Sequence, residues 1–342
     1  MAGILKSKKY YAVLLVLLAL VIALPFIRDR KKFFVNSGVV WTTEFHITYE
    51  ARHDLNDSIQ LLLTKIDMSV SPYNKQSLVT AINDNKSDLA DELFVKLYNK
   101  AKEVNTASNG LYDPTVMPLV NAWGFGFKSG SLPTDVQLDS LLAFVGLQRT
   151  SLKGNKIVKN DPRTQFDFSS IAKGMACDEI AALLARNGAA NYIVEIGGEV
   201  VARGVNERGT PWLVSVDMPL PDDENGAVHS SALVLRLDCM AIATSGSYRK
   251  VKEVDGKKVS HIVNPKTGRS ETSSLLSVSV VADDCMTADA WATACMAMGL
   301  DTTKGMMEKN AELGGMTISV DVDGNFVVWS NKRFADLVEK TK

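Results

Sequence analysis

Cysteine is scarce in this chain and poorly placed for metal chemistry. The four in 342 residues, Cys177, Cys239, Cys285 and Cys295, form no close pair of the kind that zinc and iron–sulfur sites use. They sit among apolar or small residues, where a buried free thiol is the ordinary state, although an oxidising compartment leaves one disulfide open. Net charge is lacking too. A formal charge of −1 gives no reason to expect nucleic acid as a partner. No period of roughly 20–50 residues repeats, which excludes a solenoid or a propeller. The dinucleotide fingerprint is also missing, because Gly197-Gly198 lacks the spacing and the following helix that a Rossmann site needs. What remains is an ordinary globular balance, 46% hydrophobic and 23% charged, long enough for one large domain or two lobes.

The N-terminus is the exception. Lys6, Lys8 and Lys9 precede an uncharged run from Tyr10 to Ile27, and Arg28, Arg30, Lys31 and Lys32 follow it. Those 18 residues come near the ~17–25 that cross a bilayer as a helix. The run ends Ala23-Leu24-Pro25-Phe26-Ile27, without the small residues of a signal-peptide cleavage site. The expectation is an uncleaved signal anchor over 1–32 and an exported body over 33–342. No cysteine lies near the run, so a lipoprotein acylation site is absent.

Residues 28–37 read as a linker and Val39 to Tyr49 as a strand. Leu55, Ile59, Leu62, Leu63 and Ile66 recur at helical spacing, which predicts a helix over 55–67. Further helices are expected at 89–107, 135–144, Ile171 to Ala185, 287–298 and 302–311. Extended segments are expected at 166–169, Tyr192–Ile196, 212–217, 232–238 and 275–282, with a terminal hairpin at 316–329. Irregular alternation without βαβ spacing points to an α+β fold.

Several polar clusters fall at loops and helix starts. Asp289 and Thr293 stand four apart on one predicted helix face. Their oxygens suit magnesium, which takes hard donors and keeps waters; on spacing alone, a first-turn cap or dipole partner and a packed threonine are the commoner explanation. Asp167-Phe168-Ser169-Ser170-Ile171-Ala172-Lys173-Gly174 leads into a helix start, which is either an anion site or a serine cap. Gly197-Gly198 permits close backbone approach to a ligand, or merely a bulge. His261 precedes a turn at Asn264-Pro265 and is either a general base or structural. Trp123 and Tyr73 lie in loops, where they stack a flat ring or plug a core edge.

Taken together, these residues resemble the ApbE family, the FAD:protein FMN transferases. The resemblance runs from about residue 40 to 300. It rests on Met68-Ser69 with Tyr73 and Ser77, Tyr112-Asp113-Pro114-Thr115 with Pro118, and Trp123-Gly124-Phe125. Asp167 to Gly174 with Asp178, Gly197-Gly198, Thr244-Ser245-Gly246, His261 to Gly268, and Ala288-Asp289 with Thr293 complete it. The resemblance implies a mixed helix/sheet fold with an FAD pocket between lobes, here preceded by a transmembrane helix. It implies transfer of FMN from FAD to a Thr or Ser hydroxyl of an acceptor flavoprotein, releasing AMP. The acceptor would be a redox-pump subunit or an FMN-binding domain. The same pocket would also serve FAD hydrolysis to FMN and AMP, or FAD binding alone.

Magnesium would be held by Asp289 and Thr293 with backbone oxygens of Ala172 and Ala292. FAD contacts would fall on Trp41, Tyr73, Ala122, Trp123, Gly124, Ser169, Met175 and Val263. His261 would help deprotonate the acceptor. The family's opening Met-Gly-Thr stands here as Trp41-Thr42-Thr43, and its acylated cysteine is replaced by the hydrophobic run. The expectation is therefore a protein at a bacterial inner membrane with its catalytic domain on the periplasmic side.

Overall fold

The computed structural model describes residues 31–126, 132–220, 230–247, 251–254, 257–270 and 273–340. The uncharged run 10–27, expected as a membrane span, lies outside the described residues. Among those described, no helix is long and apolar enough to cross a membrane.

Strands β1 (Lys32–Val40) and β2 (Thr43–Ala51) form a hairpin closed by only Trp41 and Thr42. The linker expected through residue 37 is therefore mostly strand, and the single strand expected from Val39 is two. The turn is hard to read because it carries none of the Asn or Gly that such hairpins favour. Trp41 and Thr42 take φ of 49° and 64° instead, in a left-handed region that a β-branched residue rarely enters. β2 buries Phe45, Ile47, Tyr49 and Ala51 at period two.

Two strands, β3 (Thr150–Lys153) and β4 (Lys156–Lys159), make a separate ribbon. Next come β5 (Tyr192–Ile196), β6 (Glu199–Arg203), β7 (Trp212–Asp217), β8 (Ser231–Leu237) and β9 (Met240–Gly246). The last are β10 (Val251–Val254), β11 (Lys257–Ser260), β12 (Leu275–Ala282), β13 (Gly314–Val320) and β14 (Phe326–Ser330). The main sheet runs β1-β2-β5-β6-β9-β12-β13-β14 and is antiparallel throughout. β7–β8 and β10–β11 are further ribbons. The helices are α1 (Asn56–Val70), α2 (Leu78–Asn83), α3 (Glu92–Ala107), α4 (Met117–Ala122) and α5 (Asp135–Leu142). They continue with α6 (Ala172–Arg186), α7 (Cys285–Met298), α8 (Leu300–Lys309) and α9 (Lys332–Ala335).

The sheet is covered on both faces. Val278, Val280 and Ala282 of β12 join the core formed with α1, α3, α6 and α7. Val281, between them, points the other way, into a second core with Trp212, Leu235 and Leu237 of the β7–β8 ribbon. A small third cluster gathers Leu119, Leu138, Val145 and Val263. The segment 166–169, expected as extended, joins no ladder of the main sheet; Phe166 and Phe168 are fully buried and stack on each other instead. The α+β reading holds in its coarse form, a mixed helix/sheet fold.

Helix α7 occupies the middle of this arrangement. Its alanines, cysteines and methionines are buried around most of its circumference, as an all-round apolar helix must be. Asp289 is its one charged side chain.

Candidate active site

The site begins where α6 and α7 cross. Ile171 occupies the cap position of α6 and gives no side-chain cap. The serines before it are engaged elsewhere. Ser169 N–H donates to Asp167 Oδ1 at 2.8 Å, and Ser170 Oγ reaches the Tyr112 hydroxyl at 3.2 Å. The missing cap is supplied by the other helix, because Gly174 N–H donates to Asp289 Oδ2 at 3.0 Å. Asp178 of α6 returns the exchange, accepting the N–H groups of Cys285 and Met286 at 2.9 Å each. The first turn of α7 has its own cap in Asp284, which accepts from Thr287 N–H at 2.7 Å. Asp289 is therefore not the first-turn cap of its own helix. The crossing depends on Gly174: a Cβ there would lie 2.4 Å from the Cys285 carbonyl oxygen and 2.9 Å from Asp289 Cβ.

Three charges meet at this crossing. Asp289 is 3% exposed and Glu199, the first residue of β6, is 2% exposed. Lys173 Nζ contacts Glu199 Oε2. Burial pushes both carboxyls up, only partly opposed by the Lys173 charge. Burial pulls the ammonium down, but Glu199 and Asp289 more than reverse this and hold it above the lysine range. One cation against two buried carboxylates leaves a deficit of positive charge, which favours a further cation in the site.

Hydroxyls flank the carboxylate. Thr293 Oγ1 lies 3.1 Å from Ser245 Oγ, and Thr244 Oγ1 lies 2.8 Å from Ser279 Oγ, so the end of β9 faces α7. Thr244, Ser245 and Thr293 line a cavity of about 400 Å³ with Tyr112, Glu199, His261, Val263 and Phe125. A second cavity of about 680 Å³ adjoins it, bounded by Trp41, Thr42, Pro72 and Ala172. Tyr73, Ser169 and Lys173 border both. Each falls within the ~300–1,000 Å³ of small-molecule sites, and their shared border lets two linked halves of a ligand occupy one each.

Most of the residues singled out in the sequence come together here. Tyr73, Ser169, Val263, His261, Asp289 and Thr293 line the first cavity, and Trp41 and Ala172 the second. His261 meets Phe125 edge-on, with ring centroids 6.3 Å apart. Tyr73 is 59% exposed at the junction. Others are set back. Met175 and Ala292 are fully buried in the core beneath. Ala122, Trp123 and Gly124 are not among the lining residues; Val116, Val120 and Phe125 line the cavity from that side. Trp123 Nε1–H instead donates to the Gly268 carbonyl at 2.7 Å and ties the loop after His261 to α4. Sequence reasoning missed Glu199. Its only signal is a carboxylate opening a short apolar strand directly after two glycines.

Among the described residues no three His, Cys, Asp or Glu side chains cluster as a metal-binding group. The donors that do meet at the charge deficit are oxygens, the Asp289 carboxylate and the Thr293 hydroxyl on one helix face. That set fits magnesium, which takes one or two carboxylates and completes its shell with water and substrate phosphate.

Fold and cavity together define a class: a mixed helix/sheet protein with two adjoining, largely apolar cavities that share a lysine and carry a buried carboxylate and hydroxyls, suited to a phosphate-linked ligand and a hard cation. The chain belongs to the ApbE family, whose family model matches residues 41–317. A curated relative from Vibrio cholerae serotype O1 (strain ATCC 39541), named FAD:protein FMN transferase, is 34% identical over 315 residues, spanning 89% of this chain and 92% of its own. The Escherichia coli K12 protein of the same name is 32% identical over 298 residues, 84% and 83% of the two chains. Among solved structures, the flavin transferase ApbE from Vibrio cholerae superposes with a TM-score of 0.79 at 32% identity, over 90% of this chain and 99% of that one. The apo flavinyl transferase ApbE of Pseudomonas stutzeri gives 0.80 at 27% identity, over 90% and 97%.

Proposed function

We propose that this protein transfers the FMN half of FAD to a threonine or serine hydroxyl of an acceptor flavoprotein and releases AMP. One observation carries the reading: Asp289, Thr293 and His261, drawn from a central helix and a distant loop, line a single cavity in a chain of the ApbE family. The acceptor oxygen forms a new bond to the FMN phosphorus, and the bridging oxygen departs with AMP. His261 takes the hydroxyl proton as that bond forms. Asp289 and Thr293, with backbone oxygens of Ala172 and Ala292, would hold Mg2+. Bound there, the ion would offset pyrophosphate charge and polarise the bond that breaks. Tyr73, exposed at the junction, offers a ring face for a flavin or adenine. Trp41 flanks the second cavity. Trp123, through Gly268, holds the Val263 loop against the cleft.

The uncharged run between basic flanks at the N-terminus supports anchoring in the inner membrane, with the catalytic body on the periplasmic side. The acceptor then belongs to the same compartment, as a redox-pump subunit or an exported FMN-binding domain.

The test is direct. Purified protein incubated with FAD, Mg2+ and a candidate acceptor should yield a fluorescent covalent flavin band on a denaturing gel, with one AMP released per flavin attached. AMP release with no covalent product from any acceptor encoded beside this gene would overturn transfer in favour of hydrolysis.

A further inference from the structure

We propose that Lys173 is a further catalytic residue of this transfer, meeting the pyrophosphate at the junction of the two cavities, and that Glu199 is its positioning residue. The inference rests on the FAD reading above and deepens it. Tyr73, Ser169 and Lys173 are the residues that border both cavities, and only Lys173 among them carries a charge. A dinucleotide lying through both cavities passes its charged linkage across the junction. A cation is needed there, and Lys173 stands beside it.

Glu199 accounts for where that cation sits. A lysine has four rotatable side-chain bonds, and ordering them carries an entropic cost if nothing restrains them beforehand. Glu199 is 2% exposed and begins β6, so it is part of the main sheet. Its Oε2 contacts Nζ of Lys173, while the lysine side chain remains 31% exposed. An ammonium has three donors, and this contact occupies one. The others remain for a ligand in the cleft. As the bridging oxygen leaves with AMP it gains negative charge, and a cation already in place stabilises it without reorganising. No bond to Lys173 forms or breaks, and no proton need leave it.

The test is a double-mutant cycle on the full chain, reading FAD affinity by flavin fluorescence and single-turnover AMP release separately. Lys173→Gln should lower the turnover rate on the order of 10²-fold while FAD affinity changes by less than about 5-fold. Glu199→Gln should lower it less, and adding it to Lys173→Gln should change the rate by less than about 2-fold, because Glu199 acts through the lysine. Losses that multiply in the double variant would show Glu199 acting by a route other than Lys173 and overturn its assignment. Lys173→Gln within about 3-fold of wild type would overturn the catalytic one. If Lys173→Gln strands two buried carboxylates and fails to fold, Lys173→Met with Glu199→Gln replaces the pair by neutral groups of similar shape, a change that cores tolerate. That folded variant must also lose turnover about 10²-fold; near-wild-type turnover sinks the proposal. Wild-type protein that never attaches flavin to any acceptor strikes the proposed function instead, which keeps the two failures apart.

Discussion

Asp289 of α7 and Asp178 of α6 cap each other's helices. Asp289 accepts the Gly174 N–H 115 residues away, and Asp178 accepts two N–H groups from the first turn of α7. The carboxylate proposed to hold the metal is thus also a tertiary cap. Its position is set by the crossing of two helices and not by its own loop.

The crossing itself makes the first prediction. Gly174→Ala places a methyl 2.4 Å from a backbone oxygen, so the helices must separate. We expect a loss of about 1–3 kcal/mol, the usual penalty for overpacking, read as a lower urea midpoint. Turnover should fall as well, because Asp289 moves. An unchanged midpoint and rate would show the contact to be soft.

Metal dependence is the second. Protein treated with a chelator should lose AMP production and recover it on addition of Mg2+. Asp289→Ala should not recover and should weaken FAD binding only partly, since the cavity walls persist. Recovery of Asp289→Ala at the same Mg2+ concentration would remove Asp289 from the metal site.

A third concerns pH. Burial pushes the Asp178 carboxyl up to about 7, against the two N–H groups it accepts. An aspartate in the unfolded chain titrates near 3.9. Between these values the folded state binds the proton and the unfolded state does not, so stability falls as pH rises from about 4 to about 7. Urea midpoints should therefore decline from pH 5 to pH 7.5, and Asp178→Asn should flatten the slope. A midpoint that rises over that range contradicts the raised Asp178 carboxyl.

The β1–β2 turn supplies the fourth. Thr42 is exposed, and at φ of 64° its branched side chain is strained. Thr42→Gly should raise stability by about 1 kcal/mol, detectable as a higher denaturant midpoint. A drop would mean that the Thr42 side chain holds the hairpin tip.

Much of this protein is legible along the chain. The helices over 56–70, 172–186 and 285–298 and the strands at 192–196, 212–217 and 275–282 follow their hydrophobic period. The same holds for the hydroxyl, carboxylate and histidine clusters, whose order carries the family resemblance. The elements that escape are those without a local cue. The Trp41-Thr42 turn has no Gly or Asn. β6 and β9 pair with each other across a long stretch of intervening chain, which no local pattern can register. α2 and α4 have six residues each, too few to show a period.

The sequence by itself determined which chemistry is available: one acid in an otherwise uncharged helix, a hydroxyl one turn on, and a histidine before a turn. It left each open to a structural use, because a residue four positions away is the farthest that local spacing can place. Tertiary structure decided the rest. It moved the cap of α6 from a neighbouring serine to Asp289 and took Trp123 out of the cavity wall to brace the Val263 loop. It also brought Glu199 from a strand to Lys173 on a helix. The physical reason is that buried charges and unpaired N–H groups must find partners, and in this fold those partners lie across the core from one another.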